Sequence, residues 1–575
     1  MKRMQHGARK QPLQRARLST LIPGMLRIAL SLHQAGELSN AEQIYRQILA
    51  IDTHHADSLH LLGMIEYQRG RPEIAIAMIR RAIMFNPEDA AYHSNLGTIY
   101  NALGRLEDAT DCYKQAVVLR PDLAQAHYNL GNVYYTQEKL DEAAACYERA
   151  LCSQPKLAAA HYNLANVLQA QAKLGEAVEC YELALAIEPR KYEALHNLGN
   201  ALEAEGKLED ARRCYEQALA IAPRDAKVQL SLASLDHVQG ELDKALKRYC
   251  TVLTLQPDYA EAAFAEALAL LQNGDFATGW PKYEWRWGTK AHTPPMRTYS
   301  QPRWTGEKLS AGGLLIWGEQ GIGDEIMFAG LIPETTRTGN RCILDCDLRL
   351  KPLFERSFPD IEVISSRASG DDPGDNSELN VTAHIPFGSL PGLFRTDLAA
   401  FVATESPYLV ADSIERERFR SHYSDGRRLA GLAWYTNNKK TGRVRSIDLA
   451  MFAPLFARPD VRWISLQYGD HDWLQAQAMA AGAPLFIDRR VNQFSNIDRF
   501  AAQIAAMDLV VTIDNSTAHL AGALGIPTWV LLPYASDWRW LRNRQDSPWY
   551  PRLRLFRQAR PGDWQSVIQT VERAL

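Results

Sequence analysis

The chain has 575 residues, 46 % of them hydrophobic and 23 % charged, with a formal net charge of −3 at neutral pH. That length is too great for one hydrophobic core and predicts about two to four domains. The small net charge excludes nucleic acid or an anionic membrane as a partner held by bulk charge, and no apolar run of about 18 residues predicts a spanning helix.

Residues 1–21 are basic (Lys2, Arg3, Arg9, Lys10, Arg15, Arg17) and carry no apolar segment, so they read as a disordered solvated leader rather than a secretion signal. From residue 22 to 290 one pattern recurs. Pro87, Pro121, Pro155, Pro189, Pro223 and Pro257 stand 34 residues apart, as do Ala41, Ala75, Ala109, Ala143, Ala177, Ala211 and Ala245. Gly63, Gly97, Gly131, Ala165, Gly199, Ala233 and Ala267 share the period, and so does a tyrosine from Tyr45 to Tyr283, with Ile79 in the one gap. Small residues let paired helices approach, the aromatic fills space between neighbouring hairpins, and proline ends the second helix. Cys112, Cys146, Cys180 and Cys214 keep the same spacing, which marks a repeat position rather than disulfides and fits a reducing, cytoplasmic compartment. Asn95, Asn129, Asn163 and Asn197 recur on the first helix of successive units, with Asn132, Asn166 and Asn200 one turn further on. A carboxamide both donates and accepts, so such a column can hold the backbone of an acceptor peptide; the alternative is a solvated face. His93, His127 and His161 recur at a packing position and are not expected to bind metal.

These spacings resemble the tetratricopeptide repeat, in about eight units, the last degenerate at "GDFATGWPKYEWRW". The resemblance implies an extended right-handed superhelix with a concave binding face. The asparagine column is similar to the ladder in the repeat superhelix of eukaryotic O-GlcNAc transferase, which holds polypeptide acceptors.

Residues 291–311, rich in proline and polar groups, read as a linker. Beyond it, short apolar runs alternate with helical stretches, which predicts α/β architecture with parallel sheets. Strands are expected at "GGLLIW", "RCILDC", "IEVISS", "RLAGLAWY", "RWISLQ", "PLFID", "LVVTID" and "TWVLLP", with a helix at "DEIMFAGLIPET" and a loop at the acidic "RASGDDPGDNSELN". Two Rossmann-like halves follow, 312–410 and 411–575, facing a cleft. Cys342 and Cys346 lie in an apolar strand and do not predict a zinc site.

Three strand-to-helix turns carry candidate chemistry. Asp514, Asn515, Ser516, Thr517 and His519 follow one strand and open a helix, where backbone N–H groups and hydroxyls can meet an anion; a simple helix cap is the alternative. Gly321 and Gly323 let backbone approach a ligand, and Asp324 stands at the helix start. No dinucleotide or P-loop fingerprint is complete there. Lys439, Lys440, Arg443 and Arg445 form a basic loop able to neutralise a diphosphate, or merely to be solvated.

With these turns, the stretches "GWPKYEWRW", "GEQGIGDEIMF", "SLQYG", "AAMDLVVTIDNSTAHLAGALGIPTWVLLP" and "DWRWLRNRQDSPWYPRLRLFRQ" make residues 276–575 resemble the glycosyltransferase domain that follows tetratricopeptide repeats in many bacterial proteins. That domain is similar to heptosyltransferases of the GT-B fold. The resemblance implies an acceptor-side half, 312–410, and a nucleotide-sugar-binding half, 411–575. It implies Asp324 as catalytic base, and a donor site drawn from Gly321, Gly323, Lys439, Arg443, Arg445, Gln467, Asp514, Asn515, Ser516, Thr517 and His519. The family's Thr-Gly is replaced by Asn515-Ser516. The expected function is inverting sugar transfer, without metal or cofactor, from a nucleotide sugar to a protein such as a flagellar or surface protein. The alternatives are a non-catalytic scaffold with a decayed transferase domain and a lipopolysaccharide-type transferase. The strings Asp345-Cys346-Asp347 and Asp470-His471-Asp472 are not taken as a metal site.

Overall fold

The structure is a computed structural model that describes residues 20–290, 297, 299–365, 379–403, 407–438 and 441–575. The leader to residue 19, most of the acidic loop, and Lys439 and Lys440 lie outside the described residues. The chain divides into two compact units between Val228 and Gln229.

The first unit is a series of helical hairpins, among them Ala90–Ala102 with Leu106–Leu119 and Ala124–Thr136 with Leu140–Ser153. In the hairpins of Gly97, Gly131 and Gly199 the repeated tyrosine lies over the glycine. A methyl on Gly131 would stand 2.7 Å from Tyr147 Cε1, and one on Gly97 would stand 2.9 Å from Tyr113 Cε1. The aromatic therefore fills space inside its own hairpin, not only between neighbours, and at these glycines the ring takes the place a Cβ would crowd. The turn joining the two helices needs a left-handed residue. Gly36, Gly70, Gly104 and Gly206 supply it at φ between 72° and 82°, whereas Glu138 and Ala172 occupy the same position at φ 59° and 60°.

The second unit begins inside the repeats rather than at the proline-rich stretch. It contains the helices Leu242–Leu255, Ala260–Gln272 and Phe276–Tyr283, followed by two parallel sheets. The physical reason is a shared core: Ala267, Leu271, Trp280 and Tyr283 pack in one cluster with Leu314, Phe328, Leu520, Trp538 and Trp549.

The strands are β1 (Gly313–Trp317), β2 (Arg341–Asp345), β3 (Glu362–Ile364), β4 (Val381–Pro386), β5 (Arg428–Ala433), β6 (Val461–Ser465), β7 (Leu485–Phe486), β8 (Leu509–Ile513), β9 (Thr528–Leu532) and β10 (Leu553–Arg557). The first sheet has the order β3-β2-β1-β4 and the second β10-β9-β8-β5-β6-β7, with every named pair parallel. Counted within its own half, the second sheet follows the Rossmann order and the first its opening part. Strand β1 is buried at all five positions, as a sheet covered on both faces requires. The predicted helix after β1 is two, Ile322–Ala329 and Ile332–Arg337, broken near Gly330. Among the described residues no helix is long and apolar enough to cross a membrane.

Candidate functional site in the second unit

Open parallel sheets place ligands beyond the carboxyl ends of strands where the strand order reverses. Those points are β1/β4 in one sheet and β5/β8 in the other. The helices that begin after β1 and β8, Ile322–Ala329 and Ser516–Ala523, pack against each other there. Gly323 makes this possible: a methyl on it would lie 3.3 Å from His519 Cδ2 and 3.7 Å from Ser516 Cα. Gly321 is exposed and meets no such crowding, the nearest atom being Asp324 Oδ2 at 3.9 Å from a built Cβ.

Asp324 lies in the first turn of its helix, and its Oδ1 accepts from Arg539 Nη2. Arg539 Nη1 donates to Asp537 Oδ1 at 2.7 Å. Arg445 stands on the other side of Asp537, its Nη2 3.4 Å from Oδ2, while its Nη1 is 3.2 Å from Asp514 Oδ2. Three carboxylates thus alternate with two guanidinium groups from Asp324 to Asp514. The Asp514 side chain is 4 % exposed, whereas Asp324 and Arg445 are each 21 % exposed. Burial pushes the Asp514 carboxyl up, with Arg445 opposing. Burial acts the same way on Asp537, but Arg539 and Arg445 outweigh it and hold that carboxyl below its usual range. Arg539 is pushed well up because Asp324 and Asp537 outweigh its own burial.

The turn after β8 is capped from within. Asn515 Oδ1 accepts from the N–H groups of Thr517 at 3.0 Å and Ala518 at 3.3 Å, and from Thr512 Oγ1 at 3.0 Å. The open N–H array expected from sequence therefore narrows, because the asparagine occupies two of its members. Thr517 is buried and Ser516 is exposed. His519 is buried, with Nδ1 3.0 Å from Tyr550 Oη and its ring stacked on Trp540 at 5.2 Å. Burial lowers its pKa to about 3, so it is neutral at ordinary pH.

Gln467 is buried and fastens the start of the basic loop. It accepts from the N–H groups of Trp434 and Tyr435 at 2.9 and 2.8 Å, and donates to the carbonyls of Tyr435 and Tyr468 at 3.0 Å. Arg443 is exposed on the short helix Gly442–Arg445. Asp345 pairs with Arg297 and Asp347 with Arg349, while Asp470 caps a helix and Asp472 pairs with Arg489. Among the described residues no three metal-ligating side chains cluster.

Sequence reasoning did not single out Asp537 and Arg539. Their signal was a charged pair interleaved with Trp538 and Trp540. It also missed Arg286, whose guanidinium is fully buried against Glu319, with Nη2 3.0 Å from both carboxylate oxygens.

In the first unit the repeated asparagines bridge hairpins. Asn163 Nδ2 donates to Asn132 Oδ1 at 2.8 Å and Tyr128 Oη at 3.2 Å, and Asn197 Nδ2 donates to Asn166 Oδ1 at 2.9 Å and Tyr162 Oη at 3.1 Å. Asn132, Asn166 and Asn200 in turn accept from Tyr147, Tyr181 and Tyr215. Asn95 Nδ2 lies 2.8 Å from His60 Nε2, and Asn129 Oδ1 accepts from Gln125 at 2.9 Å.

Tetratricopeptide repeat family models match residues 32–99, 124–157, 156–224 and 230–278, and a further TPR repeat model matches 97–138. A curated relative, protein FlbA of Caulobacter vibrioides, is 30 % identical over 342 residues, covering 55 % of each chain. The chain thus spans about half the length of that relative. Among solved structures, YrrB, described as a TPR protein with an unusual peptide-binding site, is 27 % identical with a TM-score of 0.31, covering 33 % of this chain and 98 % of that one. Pseudomonas aeruginosa pilF is 23 % identical with a TM-score of 0.33, covering 36 % and 95 %. Residues 32–278 are a tetratricopeptide-repeat array, joined to an α/β region of parallel sheets.

Proposed function

We propose that the protein transfers a sugar from a nucleotide-sugar donor to a polypeptide held by its repeats, with inversion and without metal. The observation that carries this reading is the pair of helix starts meeting at the switch points of two parallel sheets, with Asp324 on one and Ser516 on the other. In the proposed step an acceptor hydroxyl oxygen bonds to the anomeric carbon as the carbon–phosphate oxygen bond breaks. The hydroxyl proton passes to Asp324. The nucleoside diphosphate leaves toward Ser516, Arg443 and Arg445, where fixed cations offset its charge. Asn163 and Asn197 use both amide protons within the array, so a bound peptide would meet their carbonyl oxygens through its N–H groups.

A second reading, a scaffold with an inactive transferase fold, is favoured by one observation: Asn515 already occupies N–H groups that a phosphate would use. Thermal shift against a panel of nucleotide sugars separates the two. Stabilisation by one nucleotide family, and transfer that survives EDTA, is expected of the enzyme. No response from any donor supports the scaffold.

A further inference from the structure

The loop that carries Asp537 and Arg539 is fastened from two sides, and one of them is the repeat array. Gln272, the last residue of helix Ala260–Gln272, donates from Nε2 to the carbonyl of Ser536 at 2.6 Å. Its own carbonyl accepts the N–H of Arg542 at 3.1 Å, and its Oε1 is held 2.8 Å from His237 Nε2. Gln272 is 7 % exposed, so these bonds are shielded from water. The opposite side is held by Arg557 of β10. Its Nη1 donates to Ser536 Oγ at 2.6 Å, its Nη2 to the carbonyls of Trp540 and Leu541 at 2.5 and 2.7 Å, and its Nε to the Arg544 carbonyl at 3.0 Å. Between the two clamps Leu541 sits at φ 50°, ψ 175°, a backbone region that disfavours any residue with a Cβ. A side chain as bulky as leucine persists there only where its surroundings over-determine the conformation.

We propose that Gln272 and Arg557 are positioning residues that hold the 536–544 loop so that Arg539 meets Asp324. The proposal rests on the glycosyl-transfer reading for its consequence in catalysis, and on geometry alone for the clamp. The repeats thereby supply part of the transfer site through Gln272, besides offering a surface to the acceptor.

The test uses the full chain with two variants that keep size or charge. Gln272→Glu keeps the shape and the acceptor for His237 but cannot donate to Ser536. Arg557→Lys keeps the charge but not the planar fork that reaches several carbonyls at once. Carboxyl labelling with a water-soluble carbodiimide and glycine ethyl ester, read by mass spectrometry, reports how far Arg539 shields Asp324. Labelling of Asp324 is expected to rise several-fold in both variants while exposed Asp472 labels as in the parent. For transfer, kcat is expected to fall about 10–100-fold with donor KM little changed, as for a misplaced rather than missing group. Unchanged Asp324 labelling in both folded variants overturns the proposal, as does increased labelling with parental kcat. A parent protein that takes up no nucleotide sugar would instead sink the transfer reading, and the labelling result would still decide the clamp.

Discussion

In the repeats, Asn163 and Asn197 link hairpins through neutral amide and hydroxyl groups, and the same bonds recur at the repeat period. In the sheet-bearing unit, Arg539 and Arg445 join three carboxylates in an arrangement without a repeat period, partly exposed at Asp324 and Arg445. The two cost different amounts to disturb. A neutral bond contributes about 1 kcal/mol net, and its loss is shared among many copies. A buried ion pair contributes little net but leaves an uncompensated charge when one member is removed, at about 3–5 kcal/mol. Neutral networks suit a scaffold built by duplication.

The sharpest stability test of that contrast is Arg286→Met. Arg286 and Glu319 are 0 % and 1 % exposed, so the variant strands a carboxylate in the core and should lose about 3–5 kcal/mol in urea denaturation of the sheet-bearing unit. A loss of only a few tenths would erase the difference between the two regions.

The next effect depends on pH. His519 has a folded pKa of about 3 against an ordinary 6.5, because it is buried. Below pH 6.5 the unfolded chain takes up a proton that the folded chain refuses until about pH 3. Stability from this group is therefore full above 6.5 and falls by about 1.4 kcal/mol per pH unit below it. His519→Phe keeps the stack on Trp540 and should remove that share of the slope between pH 6.5 and 5. An unchanged slope would place the protonation elsewhere.

Asn163→Ala removes two neutral bonds and should lower the stability of the first unit by about 1–2 kcal/mol, well below the Arg286 variant. The smallest effect has the opposite sign. Ala172 occupies a left-handed turn position that glycine fills in other repeats, so Ala172→Gly should stabilise by about 1 kcal/mol. Destabilisation would mean that the alanine methyl has a compensating contact.

Much of this was legible in the sequence, for reasons that differ by region. The 34-residue period fixed the hairpins because one packing solution is printed many times, and the strand-forming runs named the α/β class. Strands β4 and β10 were missed: "VTAHIP" ends in proline and carries histidine, and "LRLFR" alternates arginine with apolar residues. Gly323 and Asp324 were singled out from their turn, and the structure brings them against Ser516 and Arg539. Arg539 and Gln272 were not legible as a site, because the fold joins them across 267 positions through bonds from Gln272 to the Ser536 carbonyl and the Arg542 N–H on either side of Arg539. Periodicity and local motifs carry no such long-range pairing. The reach of the second unit into the repeats was hidden likewise, since Trp280, Tyr283 and Arg286 look like a degenerate repeat until their partners are seen.

The account rests on Asp324 as the group that takes the acceptor proton, and Asp324→Asn tests this most directly. Asparagine keeps the shape of the side chain and an oxygen that can accept from Arg539, but cannot serve as a useful base. Transfer should fall at least about 100-fold, within the range a positioned general base contributes, while donor binding stays near that of the parent. Transfer within a few-fold of the parent would contradict the account.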